Sequence, residues 1–407
     1  MPGPLEGIRV LDFCHAAVGP WAACLLAEMG ADVIKIEPPE GDRISRNPPP
    51  YKNGITTTYI SMNLNKRIIT LDPRDERDRQ VIYKLLETTD VIMDNRRPGY
   101  MDRRGLGYEE VSRRNPRVVY CSSSGYGHRG PIRDMGSVDT FGQAISGFAS
   151  VSGPQGGQPE GLKGGGAHID LGTSVYIASG ILAALYNREI TGKGQWVQTS
   201  QMQAAMALSG PRGQEYWVSG QDPVPMGSGV GNIAPSRAYR GSDGRYVSLT
   251  AEDEPTWNRL CQALGMPNLA SDPRFASNAE RVGHRQELDS VIEGIIKERP
   301  AAQWTEILEN HKVPCGLFFT MNQLRTHPQV RELHMLERVE TPWGEVRVGG
   351  VPWRFSKTPA FITPTHLPGS DIEEVLAEAG FSKEQVGSYY QPNPWDHYLR
   401  SSGAAKG

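Results

Sequence analysis

In the first half of the chain, short apolar runs alternate with longer segments of mixed polarity. Residues 8–13, interrupted by Arg9 and Asp12, read as a strand. Pro20 fits a first helical position, and residues 21–29 read as a helix ended by Gly30. Residues 32–37 form the next strand. Strand, glycine-containing turn, helix and strand make a β-α-β unit, which implies a parallel sheet. The rhythm continues with strands over 68–71, 90–93, 118–122 and 196–199 and a helix over about 74–88. The longest uncharged apolar segment runs over 171–186 and reads as a helix. It is preceded by Gly164, Gly165 and Gly166 and by one acid, Asp170.

Other segments join these elements. A short helix is predicted over 139–148, and a glycine-rich loop over 152–166 is longer than connections usually are. A small-residue helix covers 201–208. The polar stretch 210–231 reads as an interdomain passage or a lid, with Gly227, Gly229 and Gly231 as its flexible points. Composition changes over 235–318, where a strand at 245–249 is followed by amphipathic helices over 254–264, 285–297 and 301–310. A short helix is predicted over 371–379, and the tail 389–407 has little periodicity. The fold class is α/β: a Rossmann-like large domain with a parallel sheet, and a smaller α+β domain. The expected divisions are 1–222, 223–337 and a return to the large domain over 338–407.

Composition narrows the function. The chain has 407 residues, 38% of them hydrophobic, enough for two packed units. A formal charge of -3 argues against a nucleic-acid surface, which needs a basic field. No apolar run free of polar interruption is long enough to be read as membrane-spanning, and the start MPGPLEG lacks the blocks of a secretion signal. Cysteines 14, 24, 121, 261 and 315 form no CxxC, so reduced thiols in the cytoplasm are expected. The histidines show no metal-ligand spacing. No GxGxxG follows the first strand, which removes the dinucleotide fingerprint.

Two features carry chemistry. Asp170 at the mouth of a helix is either an N-terminal cap or a reacting carboxylate; the residues alone leave both open. The Asn95-Arg96-Arg97-Pro98-Gly99 turn, with Arg103 and Arg104 close behind, is either a solvated surface or a phosphate site, since guanidinium groups match phosphate oxygens.

The stretches GIRVLDF, NLNKRIITLD, DNRRPGYMDRRGLGYEEV, NPRVVYCSSSGYGHRGP, GGGAHIDLGTSVYIASG, DGRYVSL, VPCG and GVPWRFSKTP occur in this order. In order and spacing the chain resembles the class III CoA-transferases, a family that includes formyl-CoA transferase, carnitine CoA-transferases and alpha-methylacyl-CoA racemase. The resemblance implies transfer of coenzyme A from an acyl-CoA, succinyl-CoA among the donors, to a carboxylic acid through mixed-anhydride and aspartyl-CoA thioester intermediates. It makes Asp170 the nucleophile. It assigns Lys66, Asn95, Arg96, Arg97 and Arg103 to coenzyme A. It also implies a dimer of interlocked rings, made of two copies or of related chains.

Further roles follow from that resemblance. Gly165, Gly166, Gly127 and Gly229 are candidates for oxyanion donors or a lid. His15, Ala17, Trp21 and Asp139 are candidates for the acid pocket. The small apolar side chains in the turn after the first strand suit a larger or less polar acyl group, whereas Arg96 or Arg97 holding a second carboxylate would suit a dicarboxylic or aryl-substituted succinate-type acid. No permanently bound cofactor and no metal is expected, and the coenzyme A thioester enters as substrate. The racemase branch carries a Gly-His-Asp stretch; here Gly136-Ser137-Val138-Asp139 has valine where that histidine stands, and valine cannot move a proton. Racemase or isomerase activity and a non-catalytic partner subunit remain alternatives. Gln198 stands where an aspartate is usual, and Leu317-Phe318-Phe319 also departs from the family pattern.

Overall fold

The computed structural model describes residues 2–42, 49–161, 166–387 and Tyr389. They form two compact units. The first comprises Met1–Ser146, Lys163–Gly210 and Gln329–Gly407, and the second Gly147–Leu162 and Pro211–Pro328.

The first unit is built on six strands: β1 (Arg9–Asp12), β2 (Asp32–Glu37), β3 (Lys66–Thr70), β4 (Val91–Asp94), β5 (Val119–Ser124) and β6 (Trp196–Ser200). Their order across the sheet is β3-β2-β1-β4-β5-β6, and every pairing is parallel. This is the doubly wound order that reverses direction between β1 and β4. Leu11 lies opposite Ile34 on one side and Ile92 on the other.

Both faces of the inner strands are covered, which is why they read as apolar runs, whereas the edge strand Trp196–Ser200 keeps alternate residues exposed. Alternate residues serve opposite faces. Val10, Val33, Val91 and Val119 pack on one side with the helices Val18–Glu28 and His168–Thr191. Leu11, Ile34, Ile92 and Tyr120 pack on the other with helix Glu76–Leu86 and helix Ile372–Glu378 from the far end of the chain. The Asp371 carboxylate fixes that late segment to β3 by accepting from the Ile68 N–H at 2.6 Å. Helix His168–Thr191 is long and apolar enough to cross a membrane by length and composition. Here Ile169, Ile177, Ile181 and Leu185 are buried in the first unit.

The second unit has a three-stranded antiparallel sheet in the order Cys315–Leu317, Tyr246–Thr250, Ser236–Arg240. Helices Glu254–Ala263, Arg285–Ile296 and Ala301–Asn310 supply its core with Leu260, Ile292 and Trp304. Arg281 is fully buried there, paired to Glu254 at 2.9 Å and lying over the Trp257 ring.

Several elements differ from the sequence reading. The helix begun at Gln201 runs on to Ser219, so residues 211–219 are not part of a polar passage. It is broken by Gly210, at φ 44° and ψ -124°, followed by Pro211, and the two units divide at that kink. The segment 147–162 belongs with the second unit, and the later division falls at Pro328 rather than near 337. The antiparallel pair Leu336–Thr341 and Gly344–Gly349 and the short helices Thr57–Met62 and Tyr108–Arg114 carried no clear periodic signal.

Candidate active site

In a doubly wound sheet the crevice opens outside the carboxyl ends of the strands where the order reverses. Those ends belong here to β1 and β4, and each strand delivers one polar residue just past its last pairing. His15 follows β1 and Asn95 follows β4. The Asn95 amide joins the two turns. Its Oδ1 accepts from the His15 N–H at 2.9 Å and lies 2.9 Å from His15 Nδ1, while its Nδ2 donates to the His15 carbonyl at 2.8 Å. An amide oxygen only accepts, so the Nδ1 facing it carries the proton and Nε2 keeps a lone pair. Burial, and then the Arg96 charge, push the His15 imidazole down to about 4, so it is neutral at pH 7.

The chain then turns through Ala16, at φ 61°, into helix Val18–Glu28. Gly19 is required in this turn, because a Cβ there would meet Cys14 Sγ at 2.2 Å. First-turn N–H groups have no intrahelical acceptor, and no side chain caps this helix at Ala17. These backbone donors belong to the same wall as His15.

A cavity of about 660 Å³ lies against this turn, walled by first-unit residues. Asp170, His15, Ala17, Asn95, Arg96, Arg97, Arg103 and Asp139 all line it, so most of the residues singled out in the sequence meet in one place. Arg97, Arg103 and Arg133 also border a second cavity of about 510 Å³, walled by Asp94, Tyr108, His128 and Trp196. Burial pushes the Asp94 carboxyl up to about 7.

Asp170 is the third residue of helix His168–Thr191, and it is not the cap. Ala167 holds the cap position without a side-chain bond. The capping group is Asp139, whose Oδ1 accepts from the N–H of Ile169 at 2.7 Å and of Asp170 at 3.2 Å. Its Oδ2 accepts from Gln143 Nε2 at 2.6 Å. Asp139 therefore borders the acid pocket with a carboxylate already committed to backbone and amide donors. Gln201, the first residue after β6, donates from Nε2 to Asp170 Oδ1 and aims the carboxylate. Nothing in the sequence singled out Gln201; its place directly after the last strand is the signal that could have done so.

Other expectations are corrected. Lys66 is fully buried, with Nζ 2.9 Å from Asp12 Oδ2 and from the Pro20 carbonyl, and so is not on the cavity wall. Its ammonium is consumed by a core ion pair. Burial raises the Asp12 carboxyl, but Lys66 and Lys35 outweigh that and hold it below its usual range. Trp21, within helix Val18–Glu28, packs half-buried against the core and is not on the cavity wall. The Gly127 N–H is taken by Ser124 Oγ at 2.9 Å, so it is not a spare oxyanion donor; Gly125 lines the cavity instead. Gly166, at φ 134°, is exposed and outside the wall. Gly164 and Gly165 lie outside the described residues. Gly229 is in the second unit, its N–H bonded to the Met226 carbonyl at 2.9 Å.

The chain has relatives in both sequence and structure. The sequence profile of CoA-transferase family III matches residues 5–371. An acetyl-CoA:oxalate CoA-transferase of Acetobacter aceti is 33% identical over 351 residues, covering 86% of this chain and 90% of that protein. A human succinyl-CoA:glutarate CoA-transferase is 31% identical over 378 residues, covering 92% of this chain and 86% of that one. The crystal structure of a CAIB/BAIF family protein from Brucella suis superposes with a TM-score of 0.83 at 30% identity, covering 93% of this chain and 100% of that one.

Proposed function

The chain belongs to CoA-transferase family III, and on that premise we propose that it moves coenzyme A from an acyl-CoA to a free carboxylic acid with Asp170 as the nucleophile. The Asp170 carboxylate attacks the thioester carbonyl, and the C–S bond breaks to give an acyl-aspartyl anhydride and the coenzyme A thiolate. The thiolate then attacks the aspartyl carbonyl, which releases the first acid and leaves an aspartyl-CoA thioester. The incoming carboxylate attacks that thioester, forms a second anhydride and frees the thiolate. Attack of the thiolate on the new acyl carbonyl regenerates Asp170. Each step conserves the energy-rich acyl bond, and no redox partner is needed.

The observation that carries this reading is the division of labour at helix His168–Thr191. Asp139 caps it, so the Asp170 carboxylate is not needed for the cap and faces the cavity, aimed by Gln201. The backbone donors around Ala17 and Val18 suit the oxyanions of the tetrahedral steps. Arg97 and Arg103, both exposed at the cavity rim, suit the phosphates of coenzyme A. The relatives act on oxalate and glutarate, and one takes succinyl-CoA as donor. By that likeness the acid here is a dicarboxylic or larger one and succinyl-CoA is a donor. The protein then acts as a dimer of interlocked rings in the cytoplasm. Racemisation is disfavoured by exposed Val138 at the histidine position and by the engaged Asp139 carboxylate.

The test is direct. The protein is incubated with succinyl-CoA, quenched in acid and digested, and the peptide holding Asp170 is weighed. An acyl or coenzyme A adduct that hydroxylamine removes supports the reading. An unmodified peptide with succinyl-CoA, acetyl-CoA and a panel of other donors assigns the chain to the partner-subunit or racemase alternatives.

A further inference from the structure

Four arginines line the cavity, and they differ in exposure. Arg97, Arg103 and Arg133 are exposed at its rim, where a bulky, hydrated phosphate group can approach. Arg96 differs from them. It is only partly exposed, at the end of β4 beside the reversal of strand order. Among the described residues it forms no ion pair. Its Nε–H is sealed from solvent and meets no acceptor. Its guanidinium lies 5.2 Å from the centre of the Tyr100 ring, which holds it without neutralising it. The Asp94 carboxyl accepts the backbone N–H of Arg96 at 2.9 Å, and burial keeps it partly protonated near neutrality. The imidazole next to it, His15, is neutral and brings no competing charge.

Arg96 lines the cavity without an ion-pair partner among the described residues, and a carboxylate is the group that meets a guanidinium with two parallel bonds. The same cavity wall carries Asp170. We infer that Arg96 binds the second, non-reacting carboxylate of a dicarboxylic acid while the first reacts at Asp170. Arg96 is thus a specificity-determining residue that selects dicarboxylic over monocarboxylic acids of equal length. This rests on the transferase reading above, and it separates Arg96 from the rim arginines assigned to phosphate.

The experiment is isotope exchange between each acyl-CoA and its own labelled free acid, which needs no second donor. Glutaryl-CoA with glutarate is compared with valeryl-CoA with valerate, in the wild-type protein, Arg96→Gln and Arg96→Lys. The wild type should favour glutarate in kcat/KM by about 100-fold, the range of a charged hydrogen-bonded pair. Arg96→Gln should collapse that ratio to near unity, mainly through a higher KM for glutarate, and Arg96→Lys should restore part of it. Equal exchange of both acids by the wild type overturns the inference. So does an Arg96→Gln variant that slows both acids alike, since that is the mark of a phosphate contact. Exchange of neither acid also overturns it, while the transferase reading itself falls only if the Asp170 peptide stays unlabelled by every acyl-CoA.

Discussion

Asp139 Oδ1 accepts from the backbone N–H of Asp170 at 3.2 Å, across 31 positions of sequence. The capping acid and the proposed nucleophile are thus separate residues joined by one hydrogen bond. Two carboxylates border one cavity, and the one that caps the helix is not Asp170.

Asp139→Ala should therefore lower both stability and turnover. Loss of an N-terminal cap costs about 1–2 kcal/mol, and the first turn of helix His168–Thr191 would no longer be held in place. Asp139→Asn keeps an acceptor oxygen and should retain most of both. Thermal unfolding paired with acyl-CoA exchange rates checks this; equal turnover in Asp139→Ala and wild type would show that the cap does not position Asp170.

Gln201, itself buried, donates to the Asp170 carboxylate. Gln201→Ala should cut kcat by about tenfold, the worth of one charge-assisted hydrogen bond, with a cooperative melting transition retained. Gln201→Glu places a second negative charge against Asp170, which disfavours its ionised form. The acid limb of the pH–kcat profile should move to higher pH in that variant and stay in place in Gln201→Ala.

Lys66 should behave as a core residue. Lys66→Met leaves the Asp12 carboxylate buried without its partner, and breaking a buried pair in this way costs about 3–5 kcal/mol. The double variant Asp12→Leu with Lys66→Met should recover much of the loss. Denaturant titration reads the effect. A normal midpoint with a raised KM for acyl-CoA would instead return Lys66 to the coenzyme A site.

Glu28 makes stability depend on pH. Burial pushes its carboxyl from 4.5 up to about 7, and Oε2 has no partner. Between those two values the folded state binds a proton that the unfolded state has released. Stability from this group is therefore full below about 4.5 and falls as pH rises through 7, by roughly 1.4 kcal/mol per unit. Glu28→Gln should raise the melting temperature at pH 8 and leave it unchanged at pH 4. Asp94, also pushed up to about 7, acts in the same direction, so a shallower slope should persist in the variant.

The sequence by itself determined the alternation of strands and helices, because side-chain period and turn residues are local. It determined the parallel sheet, since each strand of the six-stranded sheet but the last is followed by a segment too long for a hairpin. It also placed Asp170, His15, Asn95 and the arginines at strand and helix ends, where such sheets open to ligands. Only the tertiary structure decided how those groups are used. Lys66 reads as a cation available to phosphate until β3 is seen to bury it on Asp12. Gly127 reads as a donor until Ser124 is seen to occupy its N–H. Asp170 by itself reads first as a helix cap, until Asp139 arrives from another helix to take the capping role. A residue's chemical availability depends on partners far along the chain, and periodicity carries no information about them.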